Sequence, residues 1–153
     1  MIPEGSELPQ FKLPNQDGKV VDIQDFKKEV LIIFFYPKNF TRGCTKEVCN
    51  FRDNYEAITM AGAVIFGVSA DSPGSHKNFK EKYHLPFDLL SDMGNQVRRQ
   101  FGVEGTFFNL IPGRATFIFV NGILAKAFNM QFQAERHVEE ALKALEQIRN
   151  SES

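Results

Sequence analysis

The sequence has no tryptophan and only two cysteines among its 153 residues, whereas it contains 16 phenylalanines. Two cysteines are too few for a disulfide scaffold, and a chain of this length can bury an adequate core without one. A redox or catalytic role for the cysteines therefore gains weight over a structural one. With no tryptophan present, the phenylalanines are expected to fill the core.

Long apolar runs and an excess of one charge are also missing. The formal net charge is −1, hydrophobic residues make up 42% of the chain and charged residues 24%, which is an ordinary composition for a globular domain. No apolar run approaches the roughly 20 residues that are needed to span a bilayer. We therefore expect neither nucleic acid nor a membrane as a partner.

The start of the chain and the histidines carry no signal for targeting or metal binding. Residues 1–5 lack a basic region followed by an apolar stretch, so a cytoplasmic protein is expected, or an organellar one if a targeting peptide was removed. No metal-ligand spacing links His76, His84 and His137. No glycine-rich phosphate fingerprint follows a strand. The sequence therefore predicts no metal and no other cofactor.

Apolar periodicity predicts a βαβ unit in the first half of the chain. Val30–Phe35 and residues 63–68 are continuous apolar runs, which are typical of strands buried on both faces. Between these runs, residues recur at helical spacings of three or four: Cys44, Val48, Phe51, Tyr55 and Ile58. Two strands joined in this way are expected to be parallel, with a right-handed crossover.

Cap residues indicate a second helix after this unit. Ser72 has the properties of an N-cap and Pro73 those of a first helical residue, so a helix is predicted to run toward Tyr83. Pro86 is expected to stop that helix. A further short helix is predicted over residues 96–101.

The last part of the chain combines a hairpin with a helix. Asn121-Gly122 between Ala115–Val120 and Ile123–Phe128 is a strong hairpin signal. The final helix has one apolar face, formed by Val138, Ala141, Leu142, Leu145 and Ile148. This order of elements, preceded by about thirty residues of short strands and turns, predicts a single domain over residues 1–153. Its fold class is α/β, a thioredoxin-like sandwich with a central mixed β-sheet flanked by helices.

Both cysteines lie in the segment that follows the first buried strand. Cys44 comes after a tight turn and at the head of a helical pattern, where the helix dipole and free backbone N–H groups favour the nucleophilic thiolate. The alternative is a buried structural thiol, since cysteine is among the most buried residue types. On composition alone, the structural alternative would be preferred.

The residues around Cys44 resemble those of a known family. The pattern Pro37-x-x-x-Thr41-x-x-Cys44 is similar to the active-site loop of peroxiredoxins, the cysteine-based peroxidases. Cys49 follows five residues later, as in many members of the Q-type group, also called bacterioferritin comigratory proteins. Residues 68–72, 85–87, 90–92 and 113–117 continue the similarity along the chain. Residues 112–114, 129 and 131–133 resemble the plant and cyanobacterial branch of that group.

The resemblance implies catalytic roles for particular residues. Cys44 would be the peroxidatic nucleophile, which peroxide oxidises to a sulfenic acid. The Thr41 hydroxyl and the backbone N–H groups of Gly43 and Cys44 would donate hydrogen bonds to the peroxide. Arg114 would stabilise the thiolate and orient the peroxide with its planar fork, and Pro37 would shield the thiolate from water. Without the resemblance, Thr41 would be interpreted as a helix cap, Arg114 as a solvated arginine and Pro37 as a strand terminator.

Cys49 is the candidate resolving cysteine. The resemblance implies an intramolecular Cys44–Cys49 disulfide that thioredoxin or a similar dithiol protein reduces. Five residues along a helix separate two Cα atoms by about 8–9 Å, beyond the roughly 7 Å limit for a disulfide, so the first turns would have to unwind after oxidation. The alternative is a spectator thiol at Cys49, with resolution by an outside thiol. At least half of the apolar loop of residues 105–112 is expected to pack in the core, and the alternatives are that it lines the active site or contacts the reductant.

The resemblance thus implies a monomeric, atypical two-cysteine thiol peroxidase that reduces hydrogen peroxide and small organic hydroperoxides. Asn39, Phe40 and Arg42 stand where the group often has Asp, Asn and Pro, which leaves the substrate preference open. A thiol–disulfide oxidoreductase would need a Cys-x-x-Cys pair, and the sequence has none. A redox sensor or binding module that uses the same thiol switch without turnover is the alternative function.

Overall fold

The structure is a computed structural model in which residues 1–103, 114–129 and 134–151 are described. Its strands are β1 (Lys12–Pro14), β2 (Val20–Asp22), β3 (Val30–Phe35), β4 (Ala63–Ser69), β5 (Asp88–Ser91), β6 (Ala115–Val120) and β7 (Ile123–Phe128). Its helices are α1 (Arg42–Asp53), α2 (Tyr55–Met60), α3 (Pro73–Tyr83), α4 (Gln96–Gln100) and α5 (Ala134–Ser151), with a 3₁₀ turn over Ile23–Phe26.

Five strands form the central sheet in the order β5-β4-β3-β6-β7. β3 pairs in parallel with β4, and β4 with β5, whereas β3–β6 and β6–β7 are antiparallel pairs. The sheet is therefore mixed, and helices pack on it, so the predicted α/β fold class and the parallel βαβ unit are both confirmed. β1 and β2 form a separate two-stranded hairpin.

The central strand β3 is buried on both faces, as its continuous apolar sequence predicts. Side chains alternate along a strand, so Ile32 and Phe34 pack into the core beneath α1, α3 and α5. Leu31, Ile33 and Phe35 pack into a second core on the other face, with residues from α4 and the N-terminal segment. Among the phenylalanines that the structure describes, seven are fully buried, as expected for a core without tryptophan: Phe34, Phe35, Phe51, Phe79, Phe101, Phe117 and Phe119.

The helical pattern between β3 and β4 forms two helices instead of one. α1 ends at Asp53 and α2 begins at Tyr55, and Asn54 between them leaves the helical region with φ −106° and ψ 9°. Both helices bury the same apolar face, which is why the periodicity continues across the break. Phe51 of α1 and Ile58 of α2 are completely buried in one core.

α3 begins at Pro73 and ends at Tyr83, as the sequence predicts, but the residue that ends it differs from the predicted one. Ser72 caps the helix by accepting a hydrogen bond from the Ser75 N–H, and Pro73 is the first helical residue. The prediction that Pro86 stops the helix is wrong, because His84 already ends it by adopting a left-handed conformation (φ 52°, ψ 49°). A residue in this conformation is a common helix C-cap, although glycine usually occupies it.

The hairpin and the last helix agree with the sequence. Asn121 and Gly122 both have positive φ, 50° and 76°, as a two-residue type I′ turn requires. α5 packs against α1 and buries Val138, Ala141 and Leu145. Among the described residues, no helix is both long and apolar enough to cross a membrane.

Candidate active site

Cys44 lies in the first turn of α1, just past the carboxyl end of β3. Phe40, between these elements, has a left-handed φ of 64°, and Thr41 takes the N-cap position in extended conformation. The sulfur is shielded, because the Cys44 residue is only 1% exposed. A shielded thiol at the start of a helix matches the setting that the sequence predicts for a reactive cysteine.

Sheet pairing brings Arg114 to this thiol from 70 residues away in sequence. Phe35 at the end of β3 pairs with Ala115 at the start of β6, so the residue before Ala115 lies beside the loop that leads to Cys44. The Arg114 Nη2 donates a hydrogen bond to the Cys44 sulfur at 3.4 Å. The pair thus combines a nucleophile with a fixed positive charge.

Glu47 completes this arrangement and was missed in the sequence. Its carboxylate accepts a 2.6 Å hydrogen bond from Arg114 Nη1, so one guanidinium joins the carboxylate and the thiol. Glu47 is completely buried, and its Oε1 accepts no hydrogen bond from the described residues. Burial raises the pKa of Glu47 to about 7, against the charge and hydrogen bond of Arg114, which lower it. The only sequence signal was a glutamate one turn after Cys44 on the same helix face.

The raised pKa of Glu47 predicts a pH-dependent stability. The folded protein binds the proton of the Glu47 carboxyl more tightly than the unfolded chain does. The contribution of this proton to the free energy of unfolding is therefore complete below the ordinary pKa of 4.5 and is lost as pH rises to about 7. We expect the free energy of unfolding of the wild type, relative to Glu47→Gln, to fall by about 3 kcal/mol between these pH values. Urea unfolding of both proteins at several pH values measures this difference. A difference that does not change with pH would contradict a protonated Glu47.

Gly43 provides the space that the arginine occupies. A Cβ atom at residue 43 would lie 2.9 Å from Arg114 Nη2, closer than such contacts normally are. The backbone of Gly43 is in the first turn of α1, where N–H groups have no partner within the helix. The residue before Cys44 therefore brings a backbone donor and the guanidinium close to the thiol.

Thr41 and Pro37, the other predicted loop residues, flank the same turn. The Thr41 hydroxyl donates to the Lys38 carbonyl at 3.0 Å, and it makes no hydrogen bond to cap the helix. Its side chain is exposed, and Pro37 is half-buried. Their placement beside Cys44 is described by the structure, whereas their catalytic roles stay predictions.

Cys49 lies in the same helix as Cys44, and both thiols are free. Its side chain is half-buried, and burial raises its pKa, with Arg52 opposing the shift and Asp53 adding to it. The thiol is therefore protonated at neutral pH. An unbroken helix between the two cysteines agrees with the geometric argument that they cannot bond without unwinding.

A second buried arginine, also missed in the sequence, holds the start of the active-site loop. Arg98 of α4 is 5% exposed, and its Nη2 donates to the carbonyl of Tyr36 at 3.1 Å. Burial lowers the pKa of Arg98 to about 10, while the charges of Asp92 and Cys44 favour its protonated form. The guanidinium remains charged at neutral pH and lies over the Phe35 ring at 5.7 Å.

Some predicted residues fall outside the described part of the chain. These are the loop of residues 105–112, Gly113, and residues 131–133. Within residues 1–103, 114–129 and 134–151, no group of three or more His, Cys, Asp or Glu side chains is arranged to hold a metal ion.

Comparison with known proteins identifies the family. The AhpC/TSA family model matches residues 5–127. The chain is 47% identical over 146 residues to a chloroplastic peroxiredoxin Q of Gentiana triflora, covering 95% of this chain and 67% of that protein. The crystal structure of peroxidoxin BcpB from Mycobacterium tuberculosis superposes with a TM-score of 0.89 at 29% identity, over 97% and 99% of the two chains. A bacterioferritin comigratory protein of Xanthomonas campestris, solved as trapped intermediate and ligand complexes, gives 0.77 at 32% identity, over 88% and 90%. The chain therefore belongs to the AhpC/TSA family, in its peroxiredoxin Q group.

Proposed function

We propose that this protein is a thiol peroxidase that reduces hydrogen peroxide and small organic hydroperoxides with Cys44. The observation that carries the proposal is the buried Cys44 sulfur 3.4 Å from the Arg114 guanidinium, whose other nitrogen is bound by Glu47. A positive charge at this distance favours the thiolate, which is the nucleophilic form of cysteine. The bacterioferritin comigratory protein of Xanthomonas campestris has alkyl peroxide reduction activity, which supports organic hydroperoxides as substrates here.

The first step is attack of the Cys44 thiolate on one peroxide oxygen. The sulfur–oxygen bond forms as the oxygen–oxygen bond breaks, and the second oxygen takes up a proton and leaves as water or an alcohol. Sulfur is oxidised to a sulfenic acid. Negative charge moves from sulfur to the leaving oxygen, so donors along that line lower the barrier. Arg114, the N–H groups of the first turn of α1 and a reoriented Thr41 hydroxyl are the donors we assign.

The second step is resolution by Cys49. Its sulfur attacks the Cys44 sulfur, and the sulfenic hydroxyl leaves with a proton as water. The resulting disulfide is reduced by a dithiol protein such as thioredoxin, which restores both thiols. α1 must unwind locally for this step, since both cysteines lie in one intact helix. Pro37 remains at the base of the loop and limits access of water to the sulfur.

The relatives also bear on where the protein is located. The sequence left a cytoplasmic and an organellar location open. The plant relatives are named as chloroplastic, which favours the organellar location. The monomeric state and the single domain over residues 1–153 stay predictions.

The test of this function is the number of peroxide molecules that one protein molecule consumes. With thioredoxin and its reducing system in excess, an enzyme consumes many equivalents and oxidises the reductant continuously. A redox sensor with the same thiols would oxidise once and stop near one equivalent. A single equivalent in the presence of several dithiol reductants would contradict the peroxidase and favour the sensor.

We expect Arg114→Ala to slow peroxide attack by about 10- to 100-fold, because the thiolate loses a fixed positive charge and a donor. Arg114→Lys should restore only part of the rate, since an ammonium group cannot bind the thiol and Glu47 with a planar fork. Stopped-flow rates with hydrogen peroxide, together with the ultraviolet absorbance of the thiolate against pH, measure both effects.

Arg42→Ala is the matched control for the Arg114 variants. Arg42 is an exposed arginine in the same turn as Cys44, so its removal changes the net charge equally. Exposed charges are screened by solvent, and this variant should stay within a factor of about two of the wild type. Equal losses in Arg42→Ala and Arg114→Ala would mean that general charge, and not the contact with the sulfur, sets the rate.

A further inference from the structure

Asn39 lies in the loop between β3 and α1 and is buried although its neighbours are not. It is 3% exposed, whereas Lys38 and Phe40 on either side are exposed. A polar side chain is stable inside a protein only where hydrogen bonds replace those of water. The contacts of Asn39 therefore determine how the loop that precedes Cys44 is held.

The Asn39 side chain uses both ends of its amide. Its Oδ1 accepts from the Tyr36 hydroxyl at 2.5 Å, and its Nδ2 lies 3.1 Å from Ser75 Oγ and 2.9 Å from His76 Nδ1. The backbone N–H of Asn39 donates to the Asp71 carboxylate at 3.0 Å. These bonds tie one residue of the loop to Tyr36 just after β3, to α3 and to the segment between β4 and α3.

The distances fix which atoms carry hydrogen. A 2.5 Å separation from the Tyr36 oxygen fits an O–H···O bond and is too short for N–H···O, so the Asn39 oxygen faces Tyr36. The amide nitrogen then faces His76 Nδ1 and can only donate, so Nδ1 carries no proton. His76 Nε2 lies 3.1 Å from the Leu90 carbonyl, which can only accept, so Nε2 carries the proton. The hydrogen bonds are satisfied only with a neutral His76.

We propose that Asn39 is a positioning residue for Cys44, which holds the loop of residues 37–41 most firmly against α3 while His76 is neutral. A proton on His76 Nδ1 would face the amide hydrogens of Asn39 at 2.9 Å, donor against donor. The bond from Asn39 to His76 is then lost. Asn39 keeps only its contacts with Tyr36, Ser75 and Asp71, so the loop is loosened at the point where α1 begins. The contact is thus a pH-dependent latch on the active site.

The surroundings of His76 favour its neutral form, because burial has the largest effect on its pKa. Burial lowers the pKa of His76, opposed by the Asp71 carboxylate and by the backbone carbonyls of Leu90 and Ser69. The Asp71 carboxylate already accepts from Ser69 Oγ and from the Asn39 N–H. Burial also raises the pKa of Tyr36 well above its ordinary value, so this hydroxyl stays uncharged. No other titratable group among the described residues is a hydrogen-bond partner of His76.

The sign of the pH effect follows from linkage. With a lowered pKa in the closed loop, His76 binds a proton more tightly once the loop is open. The closed state is therefore fully favoured above the ordinary histidine pKa of 6.5 and is weakened as pH falls below it. For one proton, the ratio of open to closed loop rises by up to about tenfold per pH unit.

The closed loop favours peroxide attack, and the open loop favours resolution. Attack needs Thr41, Gly43 and Arg114 fixed around the sulfur, whereas the disulfide needs the start of α1 to unwind. Acid should therefore slow the first step and speed the second. This consequence rests on the proposed peroxidase function, but the state of the loop does not, so we test the two separately.

The loop is tested by hydrogen exchange of amides 38–44 in the reduced protein, corrected for intrinsic rates, from about pH 5 to pH 8. In the wild type, exchange should accelerate as pH falls below 6.5. Asn39→Ala should exchange on the order of tenfold faster at all pH values, without this slope. In Asn39→Asp the slope should reverse, because a carboxylate accepts from a protonated Nδ1 and pairs with the imidazolium.

Asn54→Asp is the matched control, since it adds the same charge at the far end of α1 and should keep the wild-type slope. Glu47 is present in all four proteins, so its titration cancels in the comparison. Stopped-flow measurements should show slower peroxide attack and faster disulfide formation in Asn39→Ala. A wild-type slope in Asn39→Asp, or unchanged exchange in Asn39→Ala, would overturn the latch. A protein with the expected exchange but no peroxide turnover would retain the latch and lose the proposed function.

Discussion

Replacing Cys44 by serine is expected to abolish peroxide-dependent turnover, with a loss of at least about a thousandfold. A serine hydroxyl is a weak nucleophile without an adjacent general base, and the described contacts of residue 44 place an arginine there and no base. The measurement is the steady-state oxidation of thioredoxin driven by hydrogen peroxide. Residual turnover above the uncatalysed rate would mean that another group reacts with peroxide.

Cys49→Ser is the companion of that variant and should behave differently. It retains Cys44, Arg114 and Glu47, so one equivalent of peroxide should react at nearly the wild-type rate. Cycling with thioredoxin should then fail, because no second thiol converts the sulfenic acid to a disulfide. Mass spectrometry after one equivalent should find Cys44 as sulfenic acid or more highly oxidised. An unchanged steady-state rate would remove Cys49 from the mechanism and leave resolution to an outside thiol.

Oxidation is expected to unfold part of α1 and to speed amide exchange over residues 45–53 by about two to three orders of magnitude. The reason is geometric, since a disulfide cannot join residues five apart in an intact helix. Local opening lies within the normal range of native fluctuations, so no global unfolding is required. Hydrogen exchange of the reduced and the disulfide forms, read by mass spectrometry or NMR, measures the change.

Two internal comparisons make that experiment specific. Amides of α3 and of β4, which lie outside the cysteine helix, should be equally protected in both redox forms. Oxidised Cys49→Ser, which cannot form the disulfide, should keep the protection of the reduced protein. Equal protection of residues 45–53 in the reduced and disulfide forms would mean that the cysteines meet by a route other than unwinding of this helix.

Much of the fold could be predicted because its signals are local. Strand β3 is a continuous apolar run, the β6–β7 turn is Asn-Gly, and Ser72-Pro73 opens α3 with both residues in the expected cap positions. The break at Asn54 was missed because it does not disturb the apolar period. The end of α3 at Tyr83 was predicted, but its cause was not, because His84 adopts a conformation that histidine enters only with support from the surrounding structure.

The site could be predicted only as far as the family pattern reached. Cys44, Thr41 and Arg114 are motif residues, and the structure brings Arg114 to the thiol. Glu47, Arg98 and the Asn39–His76 contact were missed, because each is a buried polar group whose partner is distant in sequence. Nothing in a helix period shows that a glutamate on the apolar face will meet an arginine 67 positions away. These partners are created by the order of strands in the sheet.

Gly43 shows where helix propensity and catalysis make opposite demands on the chain. The position is exposed and helical, and an alanine there should stabilise the isolated helix by roughly 0.5–1 kcal/mol. The atom that a new methyl group would meet is Arg114 Nη2, at the end of the side chain that also binds the buried Glu47. Selection for helix propensity alone would therefore accept an alanine at residue 43. Selection for peroxide reduction would reject it, because the displaced guanidinium would no longer reach the sulfur.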